Sequence, residues 1–370
     1  MSRRHIDLLV QFLGPALLLV LVAIIGSGLS EGTQQDFISA LVNATIVIGL
    51  WVFIGNSGVI SFGQISFVAL GAFSAGLMTI ETIVKPNVMP DLFPFLQHHS
   101  IGNVPSLLLA AALGALFALI FGAPLMRLNG LAASIATFAV LGITNNVLTY
   151  WEKIGPGAQT LSLVPETTGL FQALVGALIA LAVAFAYKHS RSGRLLRAAR
   201  EDPPAAQSIG VRVLRHRLIA FTISGALCGL AGGLLVHQIG SITTNQVYLD
   251  LTFITLAMLV IGGVTSLWGA VVVAVAVSLL NSYLSHAENG VGAIFFHLKI
   301  PSGASLLILG ILMAVTLIFR PSGITGGHEL SIDSLGPLAA RLRRQPAQGA
   351  STPTPQQEVE QDAEEPSARV

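Results

Sequence analysis

The sequence predicts an all-α fold, a polytopic inner-membrane helical bundle of about ten transmembrane helices with both termini cytoplasmic. Three observations predict it. The chain of 370 residues is 53% hydrophobic and only 10% charged, with a mean hydropathy of +0.76. Soluble globular domains run near 25% charged, so a chain this poor in charge has lipid as its main solvent. Apolar runs close to the ~20 residues that a helix needs to cross a bilayer recur along it. Finally, eight of its nineteen lysines and arginines (Lys188, Arg191, Arg194, Arg197, Arg200, Arg212, Arg215 and Arg217) crowd into one loop, 188–217.

The elements follow in order. Residues 8–28, after Arg3 and Arg4, resemble a signal peptide but are longer than the usual apolar region and precede no A-x-A cleavage site, so they read as an uncleaved first span. Further spans are expected at 37–56, 64–82, 105–125, 130–150, 170–187, 217–237, 250–263, 268–285 and 304–320. The segment 250–263 is short and ends in glycine, which suits a tilted, broken or partly re-entrant helix. With the N-terminus inside and sides alternating, sixteen of the nineteen Lys and Arg residues face the cytoplasm and only Lys85, Lys153 and Lys299 face out, as the positive-inside rule requires. The outer segment Met89 to Pro105 has no regular period and carries His98-His99, read as a solvated pair. Tyr150-Trp151 closes the fifth span at headgroup level. Residues 1–330 therefore read as the membrane domain. From 331 to 370 the chain, rich in Pro, Gln, Ala and Glu, cannot bury enough surface to offset ordering entropy and reads as a disordered cytoplasmic tail.

Composition also excludes functions. No Asp, Glu, Lys or Arg falls in the middle of a span, which removes the intramembrane relay of a proton pump or voltage sensor. No Gly-Lys dipeptide occurs, so there is no Walker A loop, and H-E-x-x-H is missing. A net charge of +1 gives no field for nucleic acid. The single cysteine, Cys228, sits in an apolar run and reads as packing.

Glycine patterns carry the remaining signals. Gly225, Gly229 and Gly233 make a smooth stripe for close helix approach, inside the bundle or at a subunit contact. Two polar, glycine-bearing segments, 56–64 and 262–269, interrupt the apolar pattern. Each is either a plain cytoplasmic turn or a break that exposes helix ends to a substrate. The basic loop has its own grammar. Residues 188–200 are helix-prone, Asp202 can cap a helix, Pro203 suits its first position, and Gly210 suits a left-handed stop. A helix of about two turns follows, with Ala205 and Ile209 on one face. It fits a groove on a partner or, alternatively, the loop rests on anionic lipid.

Four segments resemble the M-type permease subunits of branched-chain amino-acid ABC transporters, over roughly residues 37–326. Gly58 to Phe73 is similar to G-x-x-S-x-G-[HQ]-x-x-F-x-x-x-G-A-Y, with Phe73 replacing tyrosine. Gly193-Arg194 to Gly210 resembles G-R-x-x-x-A-x-R-E-[DN] followed by A-A-x-x-x-G. Gly262 to Gly269 resembles G-G-x-G-S-x-x-G with Thr265 at a glycine position, and Phe319 to Gly326 resembles F-[RK]-P-x-G-[LI]-x-G. The family's outer-loop pattern is poorly matched at Gly155 to Leu161.

The resemblance implies the pore subunit of an ATP-driven importer rather than an enzyme. Its partners would be a second homologous permease, two cytoplasmic ATP-binding subunits and a periplasmic or extracellular substrate-binding protein. ATP and Mg would be used by the ATPase subunits, with no cofactor bound by this chain. Glu201, Asp202, Ala205, Ala206, Ile209 and Gly210 would form the ATPase-coupling helix. The segment Ser61 to Phe67 would lie near the translocation path, for which Ser61, Gln64, Ser66, Asn43, Asn56, Asn145 and Asn146 are the sparse polar candidates. Urea, short amides and other amino acids are also carried by members of the family.

Overall fold

The computed structural model describes residues 3–288, 301, 303–320 and 323–326. The expected tail 331–370 and Lys299 lie outside the described residues. Among them the regular secondary structure is helical apart from one isolated antiparallel bridge, Leu161 to Ile242. In chain order the helices are α1 Arg3–Ser27, α2 Glu31–Ser57, α3 Gln64–Thr79, α4 Lys85–Val88, α5 Pro94–His98, α6 Asn103–Leu125 and α7 Gly130–Tyr150. They continue with α8 Leu170–His189, α9 Arg191–Glu201, α10 Pro203–Ser208, α11 Val213–Ile239, α12 Leu249–Gly262, α13 Leu267–Glu288 and α14 Ala304–Phe319.

Seven of these, α1, α2, α6, α7, α8, α11 and α13, are long and apolar enough to cross a membrane. The other three expected spans are shorter helices. α3 and α14 have 16 residues and α12 has 14, or about 24 and 21 Å of rise against a core of about 30 Å. α3 starts at Gln64 as expected and stops early at Thr79, where Ile80 turns extended. α2 stops at Gly58, whose φ of +70° is a left-handed conformation open to glycine, and the chain then runs unwound to Gly63 before helix resumes.

Contacts at the helix ends fix the direction of each. At one end, Arg200 reaches the carbonyl of Gly55 at the close of α2, and Ser134 at the start of α7 reaches Ile60. At that same end Arg217, near the start of α11, holds Asn129 between α6 and α7, and Ile324 pairs with Ile261 at the close of α12. At the opposite end Gln35 meets Gln238, Asp36 meets His286, Asn103 meets Gln172 and Ile101 meets Met78. All ten apolar helices thus run alternately between two ends, and the basic loop occupies one of them.

α2 is the core of the bundle, with 83% of its span buried, and α11 follows at 67%. α11 lies between α3 and α6 along its glycines. A Cβ on Gly225 would meet Ala118 and Gly114, one on Gly229 would meet Ala110, and one on Gly233 would lie 2.8 Å from Leu107. On the other side Gly71 of α3 faces Gly229, and Gly232 lies against the carbonyl of Val68. The stripe read from sequence is an internal seam. Backbones that meet without side chains between them gain dispersion contacts that lipid cannot supply.

The outer connections are more ordered than the lack of sequence period suggested. α4 and α5 fold over Lys85, which is fully buried and donates Nζ–H to the carbonyls of Leu96 at 3.0 Å and His99 at 2.6 Å. Burial pushes its pKa below the ordinary lysine value. The neighbouring His99 ring is stacked on Phe95, with ring centroids 4.5 Å apart. Tyr150 and Trp151 are exposed at the end of α7, as expected of headgroup-level aromatics.

Candidate functional site

The basic loop folds as two helices. Ser190 breaks α8 from α9, its hydroxyl accepting from the amide of Gly193 at 3.1 Å. α9 turns Gly193, Leu196 and Ala199 inward. Asp202 then caps α10, its Oδ1 accepting from Ala205 N–H at 3.0 Å, with Pro203 and Pro204 at the first two positions. After α10 the amide of Val211 returns to the carbonyl of Ala206 at 3.0 Å across Gly210, whose φ is +85°. That is the helix-closing arrangement a glycine at this position permits.

The faces of α10 correct one expectation. Ala206, read as part of the docking surface, is buried against Ala199 and Val213. Ala205 is exposed, and Ile209 is 81% exposed at the helix close. The two residues predicted to share a face do so, and that face is free within the chain. Ala206 instead fastens the short helix down. Two surface hollows flank it. One, of about 650 Å3, is lined by Arg127, Pro203, Gln207 and Leu214. The other, of about 630 Å3, is lined by Arg191, Leu195, Ile209 and Arg212.

Two loop arginines reach back into the bundle, a role that the positive-inside count could not reveal. Arg197 donates to Asn56 Oδ1 at 2.8 Å and to the carbonyl of Lys188 at 2.8 Å. Arg200 donates to the carbonyl of Gly55 at 3.0 Å, pairs with Glu201 at 3.1 Å and lays its stem on Gly58. Both cations sit at the negative end of the α2 dipole, which favours them there. Their spacing of three residues along a helix was the sequence signal, since it puts both on one side.

Two more of the recognised segments meet beside this contact. Thr325 Oγ1 donates to the carbonyl of Gly262 at 2.7 Å, Gly269 packs on Gly262, and Gly323 lies on Gly263. A Cβ on Gly55 would lie 2.8 Å from the carbonyl of Val264. Four segments far apart in sequence (55–58, 197–200, 262–269 and 323–326) therefore converge on one end of α2.

The polar candidates for a path separate into groups. Ser61, Gln64 and Ser66 lie together at the start of α3, each at most 1% exposed. Asn56 is held by Arg197 and has its own Nδ2 on Val52. Asn43 sits almost four turns away along α2 and donates to Ser278 of α13 at 2.8 Å, a helix-to-helix bridge. Asn146 is exposed and bonds the carbonyl of Gly142 in its own helix, while Asn145 keeps an unpartnered Oδ1. The structure does not bring Asn43 or Asn145 to the α3 group.

A model of the family described as branched-chain amino acid transport system / permease component matches residues 37–317. The chain belongs to this family. It is 26% identical over 329 residues to the high-affinity branched-chain amino acid transport system permease protein LivM of Escherichia coli K12, covering 80% of this chain and 70% of that one. The probable branched-chain amino acid transport permease protein LivH of Methanocaldococcus jannaschii is 25% identical over 296 residues, or 76% of this chain and 87% of that one. The autoinducer 2 import system permease protein LsrC of Enterobacter sp. strain 638 is 33% identical over 170 residues, 44% of this chain and 49% of the relative. No solved structure matches the chain. As a permease component it is a multi-pass inner-membrane protein that works in a transport complex with other subunits, and it is not itself an enzyme.

Proposed function

We propose that this permease is the pore subunit of an ATP-binding-cassette importer that moves branched-chain or related amino acids delivered by a periplasmic or extracellular binding protein. Its partners are a second homologous permease and two cytoplasmic ATPase subunits, which use ATP and Mg. The observation that carries the reading is α10, a short capped helix that turns Ile209 outward between two hollows while Ala206 anchors it. Through α9 it is tied by Arg197 and Arg200 to the end of α2 and the break before α3. A partner that moves α10 therefore pulls on the bundle. Glu201, Asp202, Ala205, Ile209 and Gly210 form or shape the coupling surface. Ser61, Gln64 and Ser66 border the path.

A second reading keeps the architecture and changes the cargo to urea, a short amide or a simple sugar. The relatives named for autoinducer 2 favour keeping it open. Reconstitution of the permease with its ATPases and binding protein in nanodiscs decides between them. Amino-acid-loaded binding protein stimulates ATP hydrolysis on the first reading. Stimulation only by urea, amide or sugar would support the second, and uptake by the chain alone on an ion gradient would remove both.

A further inference from the structure

The beginning of α3 holds more unmet hydrogen-bonding capacity than any other part of the interior described above. Gln64 is 1% exposed and both its Oε1 and Nε2 lack a partner; the Oγ of Ser66, on a residue with no exposed surface, also lacks one. Among the described residues the amides of Gln64 and Ile65 find no backbone acceptor. Free first-turn amides are general, but they are ordinarily left to water. Here the helix end is buried within the bundle. Phe62 N–H donates to Thr137 Oγ1 at 3.3 Å and Ser134 donates to the carbonyl of Ile60 at 2.6 Å. These contacts put the unwound segment against Thr137, seven residues into α7, about 10 Å along that helix from its start.

We infer that the first turn of α3, with Gln64 and Ser66, is a carboxylate subsite on the translocation path. The inference rests on the importer reading and narrows its cargo. The unmet groups are mostly donors: two amide N–H groups and the Gln64 NH2, with the Ser66 hydroxyl able to serve either way. One water could donate to Gln64 Oε1 and Ser66 Oγ, but it accepts only about two hydrogen bonds and would leave donors unmet. A cation would need carbonyls. A carboxylate accepts through two oxygens and about four lone pairs, and a helix N-terminus inside a membrane favours such an anion. Ser61 serves the site indirectly, since its Oγ accepts from Gly63 N–H at 3.3 Å and holds the loop ahead of the helix. The subsite gives an amino acid an advantage over an amide or sugar that lacks the anion.

The test uses the full complex in nanodiscs, with Ser66→Cys as a near-isosteric probe and the wild type, whose Cys228 is buried, as background. Anionic (2-sulfonatoethyl) methanethiosulfonate is expected to modify Ser66→Cys roughly tenfold faster than the cationic 2-aminoethyl reagent. Leucine at millimolar concentration, but not leucinamide, is expected to slow it. An equal or faster reaction with the cation, equal protection by leucinamide, or no reaction at any stage of the ATP cycle overturns the subsite. Gln64→Glu supplies a second measurement. A like charge in the cradle is expected to cut leucine import roughly tenfold, and wild-type import by that variant overturns the proposal too. Failure of the wild-type complex to import any amino acid is a different result, and it would remove the importer reading itself.

Discussion

At the scale of single residues, Ala206 and Ile209 separate anchoring from docking. Ala206→Glu places a carboxylate against Ala199 and Val213, where an unpaired charge is costly. It should loosen the loop, seen as faster proteolysis between α9 and α11 and a thermal midpoint lower by several degrees. Ile209→Glu, on a side chain 81% exposed, should leave that midpoint within a degree or so. The same change should reduce coupled ATPase stimulation roughly tenfold or more if the face is a docking hot spot. Equal stimulation would remove Ile209 from the interface. Arg197 makes a third test. Its loss strips a partner from Asn56, which has no exposed surface, so Arg197→Ala should cost about 1–3 kcal/mol in detergent unfolding. Arg197→Lys should recover only part, because one ammonium cannot reproduce the planar fork that spans Asn56 and Lys188.

The coupling loop was legible in sequence where backbone chemistry sets the outcome. Asp202, Pro203 and Gly210 each have one conformational role, and each plays it. Side-chain direction was not legible. Whether Ala205 or Ala206 turns inward depends on where α9 lies, and a two-turn helix has no period long enough to reveal it. Lys85 was hidden for a related reason, since its burial comes from α4 and α5 closing over it.

Among elements, α11 and α7 give opposite answers to the same substitution. Gly232→Ala would drive a Cβ into the carbonyl of Val68 and to 2.8 Å from the amide of Ala72, both backbone. Neither can rotate away, so the helices must part, at a cost of about 1–3 kcal/mol. Gly142→Ala in α7 meets nothing within 4 Å and should stabilise by up to about 1 kcal/mol from helix propensity alone. Thermal unfolding of the two variants in one detergent compares them directly. A Gly232→Ala protein as stable as the parent would mean that the seam is looser than drawn. The glycine stripe itself was visible in the sequence, whereas its two neighbours were not, because α3 and α6 become adjacent only once the bundle closes. The length of α3 is not legible from hydropathy, since an apolar run continues through both the helix and the turn after it.

For the molecule as a whole, the alternation of ten apolar helices puts α10 and the outer bridge at opposite ends of the bundle. Ala205→Cys should resist a membrane-impermeant maleimide in intact cells and react in inverted vesicles. Leu163→Cys, at an exposed position beside the Leu161 to Ile242 bridge, should do the reverse. Labelling of both from the same side would mean that one of the three short helices does not cross. The count of basic residues predicts the same sidedness, because charge distribution is a property of the entire chain and needs no knowledge of packing.

The seams of α11 also bear on how such a chain can change over generations. Where two ordinary core residues touch, enlargement of one can be offset by shrinkage of the other. Gly71 opposite Gly229, and Gly114 opposite Gly225, leave nothing to shrink. A side chain added at Gly71 or Gly114 therefore has no facing side chain whose loss would make room for it.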